Sequence, residues 1–180
     1  MNNSRRIQTI VLLALLAVGL ARAADLAWVC DDAFISIRYA QNLLDGHGLV
    51  YNAGERVEGY TNLLWTLLLA ALMKLGVAPL AAAKLPGIIA YAALALGLAH
   101  WSWIQSRDGS RPFLPLAAGL VLISDDFHVW ATGGLETMLF TALAVQALLL
   151  TRLEKDRPWP VSYTHLTLPT NVSMCCGGGS

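Results

Sequence analysis

Charge is scarce in this 180-residue chain. Asp, Glu, Lys and Arg together make up 13%, against about 25% in an ordinary soluble domain. The formal net charge is zero, so nucleic acid is offered no basic face. Cysteine is scarcer still: there are three, two of them adjacent at Cys175 and Cys176. That excludes a disulfide framework and a zinc-ligand spacing, and leaves Cys30 as a small buried residue. No glycine-rich phosphate loop follows a strand, and Gly46-His47-Gly48 fits no nucleotide fingerprint. This speaks against an enzyme built on a soluble nucleotide-sugar domain. Neither a serine elbow nor a pair of histidines at metal spacing is present, and no metal ligands are assigned.

What fills the chain instead is apolar sequence: 56% hydrophobic residues and a mean hydropathy of +0.55. Crossing a bilayer takes about 20 residues in a helix. Four stretches reach or approach that length: 7–24, 85–104, 113–130 and 135–153. A fifth, within 61–77, is short. If it also spans, Arg107, Arg111, Arg152, Lys155 and Arg157 fall outside. If it only dips into the outer leaflet, those five join Arg5 and Arg6 in the cytoplasm, seven of the twelve basic residues. The positive-inside rule favours the second arrangement. The expected fold is an all-α membrane protein with about four transmembrane helices and one interfacial or half-buried helix. Residues 25–84 then form an acidic first outer loop. The run Ala21-Arg22-Ala23 also allows a cleaved signal peptide, although the apolar stretches from Leu85 onward argue against a secreted domain.

The chain is organised around residues 30–65, which hold Asp31, Asp32, Asp45, Glu55 and Glu58, five of the twelve carboxylates. Its start reads as a helix, with Asp31 or Asp32 as the cap, Phe34, Ile37 and Leu44 near one face, and Gly46 at the end. Residues 49–57 suggest a small hairpin around Asn52-Ala53-Gly54. Clustered carboxylates, a few cations and aromatics at a membrane surface suit transfer of a group from a lipid-linked phosphate to a hydroxyl. A carboxylate takes the hydroxyl proton, and a cation such as Lys84 or Arg38 steadies the departing phosphate.

Asp31-Asp32-Ala33-Phe34-Ile35-Ser36, Arg38-Tyr39-Ala40, Gly48-Leu49-Val50-Tyr51-Asn52, Gly54 through Asn62 and Leu64-Trp65 together resemble the first outer loop of GT-C glycosyltransferases. The likeness is to bacterial enzymes similar to arabinofuranosyltransferases. Gly134-Leu135-Glu136-Thr137 resembles a second outer motif of that group, and Lys84-Leu85-Pro86 a basic step before a span. The resemblance covers about 7–157. It implies a multi-pass enzyme of the bacterial inner membrane with its active side facing outward. The implied donor is a polyprenyl-phosphate sugar, and the acceptor a glycan, lipid or protein of the cell envelope. It further implies Asp31 as general base, with Asp32 beside it and Glu136 facing the same cavity. Arg38, Glu55, Glu58, Tyr60 and Lys84 are the substrate-contact candidates. No cofactor is assigned, and a divalent metal is left open. Members carry more spans than this chain, so 1–157 is expected to be an N-terminal part, inactive alone. Residues 158–180 resemble translated adapter sequence and are set aside from the fold.

Plainer roles stand beside these. Two aspartates can simply begin a helix, Arg38 can pair with a neighbouring acid, and Glu55 to Glu58 can be a solvated loop edge. The rival function is a non-enzymatic polytopic protein, a transporter half or an assembly scaffold. Charges near mid-span would favour transport, and the four expected spans have none near their centres.

Overall fold

A computed structural model describes residues 3–55, 59–107 and 113–154. Among them every regular element is a helix: α1 (Asn3–Asp25), α2 (Asp31–Leu44), α3 (Leu63–Lys74), α4 (Pro79–Gln105), α5 (Leu116–Ile123), α6 (Asp125–Thr132) and α7 (Thr137–Glu154). The protein is an all-α membrane protein. By length and composition, α1 and α4 can each cross a bilayer. A third crossing is available if α6 and α7, bent by 117° at their junction, count together. The 12 residues of α3 cover only about 18 Å at 1.5 Å per residue, too little to cross.

The helices begin and end for local reasons. Asp31 and Asp32 occupy the first turn of α2, where the helix dipole favours anions. Neither caps it, contrary to expectation: Cys30 is the N-cap, without a side-chain bond. The other end behaves as the sequence suggests. Gly46 takes φ +82°, His47 N–H reaches Asn42 O at 2.9 Å, and Gly46 N–H reaches Leu43 O at 3.3 Å. This pair of bonds is the Schellman closure, which a residue with a β-carbon strains to adopt.

Three other local readings change. No strand forms between residues 49 and 55. The carbonyls of Val50 and Tyr51, which a hairpin would need, are taken by the Asn42 side-chain amide at 2.7 and 2.8 Å. The stretch 113–130 is two short helices broken at Ser124, because Asp125 and Asp126 start a new first turn. Asp125 is held there by Arg22 of α1 at 3.3 Å and by His128 at 3.2 Å. On α2, Ile37 is buried, but Phe34 and Leu44 face outward. The buried face is carried by small and polar residues, Ala33, Ser36 and Ala40 among them.

Packing centres on α4. Its later turns contribute Ala90, Tyr91, Leu94, Ala95 and Ala99 to a core shared with α1, α5, α6 and α7. Its first turns contribute Ala82 and Ala83 to a second cluster, with Ile37 and Ala40 of α2 and Trp65, Leu69 and Ala70 of α3. Alanine dominates both clusters, as expected where helices must approach closely without a hydrophobic drive from water. Leucines and isoleucines line the outside instead: Ile7, Ile10 and Val18 on α1, Leu116 and Leu120 on α5, and Phe140 and Leu143 on α7 are all more than half exposed. Such outward apolar surface matches a lipid environment rather than water.

Candidate active site

One short loop brings the functional residues together. Residues 133–136, between α6 and α7, lie against the start of α2. Cys30 N–H donates to Gly133 O at 2.9 Å. Trp28 donates its indole N–H to Val129 O at 3.0 Å and meets Trp130 edge-on at 5.8 Å. Gly134 has φ +83°, and a β-carbon there would sit 2.9 Å from Ala33 Cβ and 3.6 Å from Ala83 Cβ. The beginnings of α2 and α4 and this loop therefore meet at one end of the bundle. Glu136 follows directly.

On the other side, α2 shapes the approach to α3. The buried Tyr39 hydroxyl accepts a bond from Gly59 N–H at 2.9 Å, and its ring meets Tyr60 edge-on at 4.7 Å. This holds residues 59–62 across the top of α2. Between the two loops lies a cavity of about 210 Å³, lined by Asp32, Ile35, Ser36, Gly59, Tyr60, Thr61, Asn62, Leu135 and Glu136. Next to it an apolar groove of about 420 Å³ runs between α3 and α7, lined mainly by Leu63, Leu64, Trp65, Leu68, Leu139, Phe140 and Leu143. Thr61, Asn62 and Glu136 belong to both walls. The Trp65 indole N–H is buried on that groove and meets no acceptor among the described residues.

The candidates read from the sequence divide accordingly. Asp32, Tyr60 and Glu136 line the cavity. Asp31 does not; it is exposed at the first position of α2, one residue away. Arg38 donates from Nε to Tyr51 O at 3.3 Å and braces the loop after α2. Glu55 accepts from Asn52 at 3.0 Å in the same loop, away from the cavity. Lys84 is half-buried inside α4, which begins at Pro79 rather than at Leu85. Glu58 lies outside the described residues.

Two residues that sequence reasoning left without a role stand at the centre. Asn62 donates from Nδ2 to Glu136 Oε2 at 3.0 Å and to Ser36 Oγ at 3.1 Å. Its Oδ1 lies 3.4 Å from Thr66 Oγ1. Asn62 precedes α3, and Ser36 sits on the buried side of α2, so the polar ends of three segments converge. An asparagine just before an apolar helix ordinarily signals a cap. Here it makes no side-chain bond to the backbone amides of the helix, and that was the available clue to another task.

Over 122 residues, 64% of this chain, the sequence is 36% identical to a terminal beta-(1->2)-arabinofuranosyltransferase of Mycobacterium tuberculosis. The chain is homologous to arabinofuranosyltransferases. A protein of the same name from Corynebacterium glutamicum is 55% identical over 38 residues, 21% of this chain. These matches bear out the resemblance read from the first loop and the Gly-Leu-Glu-Thr motif. The chain spans only a small part of these relatives: 19% of the mycobacterial arabinofuranosyltransferase and 6% of the corynebacterial one. No family model matches the chain, and no solved structure does.

Proposed function

We propose that residues 1–157 are the N-terminal part of a membrane glycosyltransferase. It would move a sugar from a polyprenyl-phosphate donor to a glycan, lipid or protein acceptor of the cell envelope, on the outer face of the inner membrane. The observation that carries this reading is the junction of the acidic cavity with the apolar groove at Thr61, Asn62 and Glu136. A lipid-linked sugar has this same division, a polar head on an apolar chain. The names of the arabinofuranosyltransferase relatives support the transfer chemistry.

In the proposed step, a cavity carboxylate takes the proton of the acceptor hydroxyl. The freed oxygen bonds to the anomeric carbon, and the carbon–oxygen bond to the phosphate breaks. The polyprenyl phosphate leaves with the electron pair, so no general acid is required. We assign the base to Asp32, because Asp32 lines the cavity and Asp31 does not. Of the two candidate cations, Arg38 is engaged with Tyr51 and Lys84 lines neither the cavity nor the groove, so the phosphate is assigned no cation among the described residues.

The test is transfer by the complete protein reconstituted in liposomes. Radiolabelled sugar is expected to pass from polyprenyl phosphate to acceptor, and not from a nucleotide sugar supplied alone. Equal incorporation from the nucleotide sugar would overturn the reading.

A second expectation concerns topology. Ala33, Gly134 and Ala83 lie together, which supports an arrangement in which α3 dips without crossing and Arg107 and Arg152 are cytoplasmic. Cysteines replacing Asn52 and Thr137, both exposed, should be labelled from outside by an impermeant maleimide in intact cells lacking the native thiols. Labelling of one but not the other before permeabilisation would separate the two loops and refute the arrangement.

A further inference from the structure

We infer that Asn62 is the positioning residue of this site, holding Glu136 at the junction of cavity and groove through its side-chain amide. The inference deepens the glycosyl-transfer reading and rests on it. A carboxylate only accepts hydrogen bonds, so the group facing Glu136 Oε2 at 3.0 Å has to be the Asn62 amide nitrogen rather than its oxygen. That fixes which way the amide points. Its second N–H then meets Ser36 Oγ at 3.1 Å, and its oxygen lies 3.3 Å from Ser36 Oγ and 3.4 Å from Thr66 Oγ1. The backbone contributes too, because Asn62 O accepts Thr66 N–H at 3.0 Å. Every polar atom of the side chain is committed, and the partners sit on three separate parts of the fold. Asn62 forgoes the bond to its own helix that asparagine usually makes at this position. What that choice secures is the orientation of an acid 74 residues away in the chain.

A merely structural asparagine and a positioning one make opposite forecasts for a single atom exchange. Asn62→Asp keeps the shape and the acceptor toward Thr66, and removes the donor toward Glu136. If Asn62 does not hold Glu136, Asn62→Asp, which keeps the shape and the acceptor, is milder than Asn62→Ala. If it positions Glu136, Asn62→Asp is the worse of the two near neutral pH, because two carboxylates then share one hydrogen-bonding distance. It should regain activity as the pH is lowered and a shared proton bridges the pair. Asp32 and Tyr60 are the other titratable groups on the cavity wall, and both are present in every variant, so the difference between variants isolates the pair.

The experiment measures kcat and KM for a polyprenyl-phosphate sugar across pH with the complete protein, its Asn62→Ala and Asn62→Asp variants, and Glu136→Gln/Asn62→Asp. Asn62→Ala is expected to lower kcat roughly ten- to a hundredfold, the scale of a lost hydrogen bond to a charged group, with a smaller effect on KM. Asn62→Asp is expected to fall below it at neutral pH and to approach it in acid. In Glu136→Gln/Asn62→Asp the acid recovery should vanish, since the pair no longer shares a proton. If Asn62→Asp matches or exceeds Asn62→Ala at every pH while the native protein is active, the inference fails and the transferase reading stands. A native protein that transfers no sugar from the lipid-linked donor fails the transferase reading itself.

Discussion

Asp32→Asn is expected to lower sugar transfer by about 10²–10⁴-fold, the usual contribution of a general base, with insertion and thermal stability of the complete protein nearly unchanged. Asp32 is exposed, lies in the first turn of α2 and makes no side-chain hydrogen bond among the described residues. Its amide analogue therefore breaks no contact that holds the fold. What disappears is the anion at the cavity wall. Glu136→Gln should also be strongly impaired, because the amide can still accept from Asn62 but no longer brings a negative charge to the junction. Asp31→Asn removes a charge that acts through the helix terminus, so it should cost about 0.3–1 kcal/mol of stability and leave the transfer rate near native. The measurement is initial rate of transfer from a radiolabelled polyprenyl-phosphate sugar. If Asp31→Asn is inactive and Asp32→Asn is not, the base is Asp31, as the family resemblance alone implies. Full activity in all three variants would reduce these carboxylates to structural roles.

Gly134→Ala should cost at least tenfold in the same assay and lower the melting temperature. At φ +83° the added methyl group meets Ala33 Cβ at 2.9 Å. Ala33 is fully buried on α2 and has no room to retreat. The left-handed backbone itself costs a residue with a β-carbon about 1–2 kcal/mol. The relief available is movement of the loop, which carries Glu136 two residues further on. A shift of about 1 Å at a reacting group can lower a rate on the order of 10²-fold. Ala33→Gly in the double variant removes the contact but leaves the backbone strain, so recovery should be partial. Gly119→Ala is the control, since its added carbon meets nothing within 4 Å. Native activity and native melting temperature in Gly134→Ala would show that the loop position is not what sets Glu136.

The misreadings have physical causes of their own. A run of apolar residues reports how much of the chain avoids water, but not where its helix breaks. The stretch 113–130 reached spanning length only by running through Ser124 and two aspartates, yet Asp125 meets Arg22 on α1 and His128 one turn later, and a new helix begins there. The hairpin over 49–57 failed for a similar reason among its described residues. Local turn chemistry was present, but Asn42 claimed the carbonyls first. Phe34, Ile37 and Leu44 were placed near one face of α2 by their spacing, yet only Ile37 is buried. Small residues such as Ala33, Ser36 and Ala40 line the packed side of α2 instead, where they allow close approach.

By itself the sequence determined the class of the protein and the address of its chemistry. Composition required a membrane protein because so few charges cannot cover a water-facing surface. The carboxylate-rich stretch from Asp31 onward, with Glu136 in a second motif, carried the likeness to arabinofuranosyltransferases. Only the tertiary structure decided which of these groups meet. Asp32 and Glu136 share a wall because Gly134 lets one loop lie against α2 and Tyr39 draws another across it. Arg38 and Glu55, part of the same first-loop motif in sequence, are turned to local braces. Asn62 gained its partner from 74 residues away. Spacing along a chain encodes periodicity and local turns, whereas a contact between distant segments depends on where every intervening helix stops.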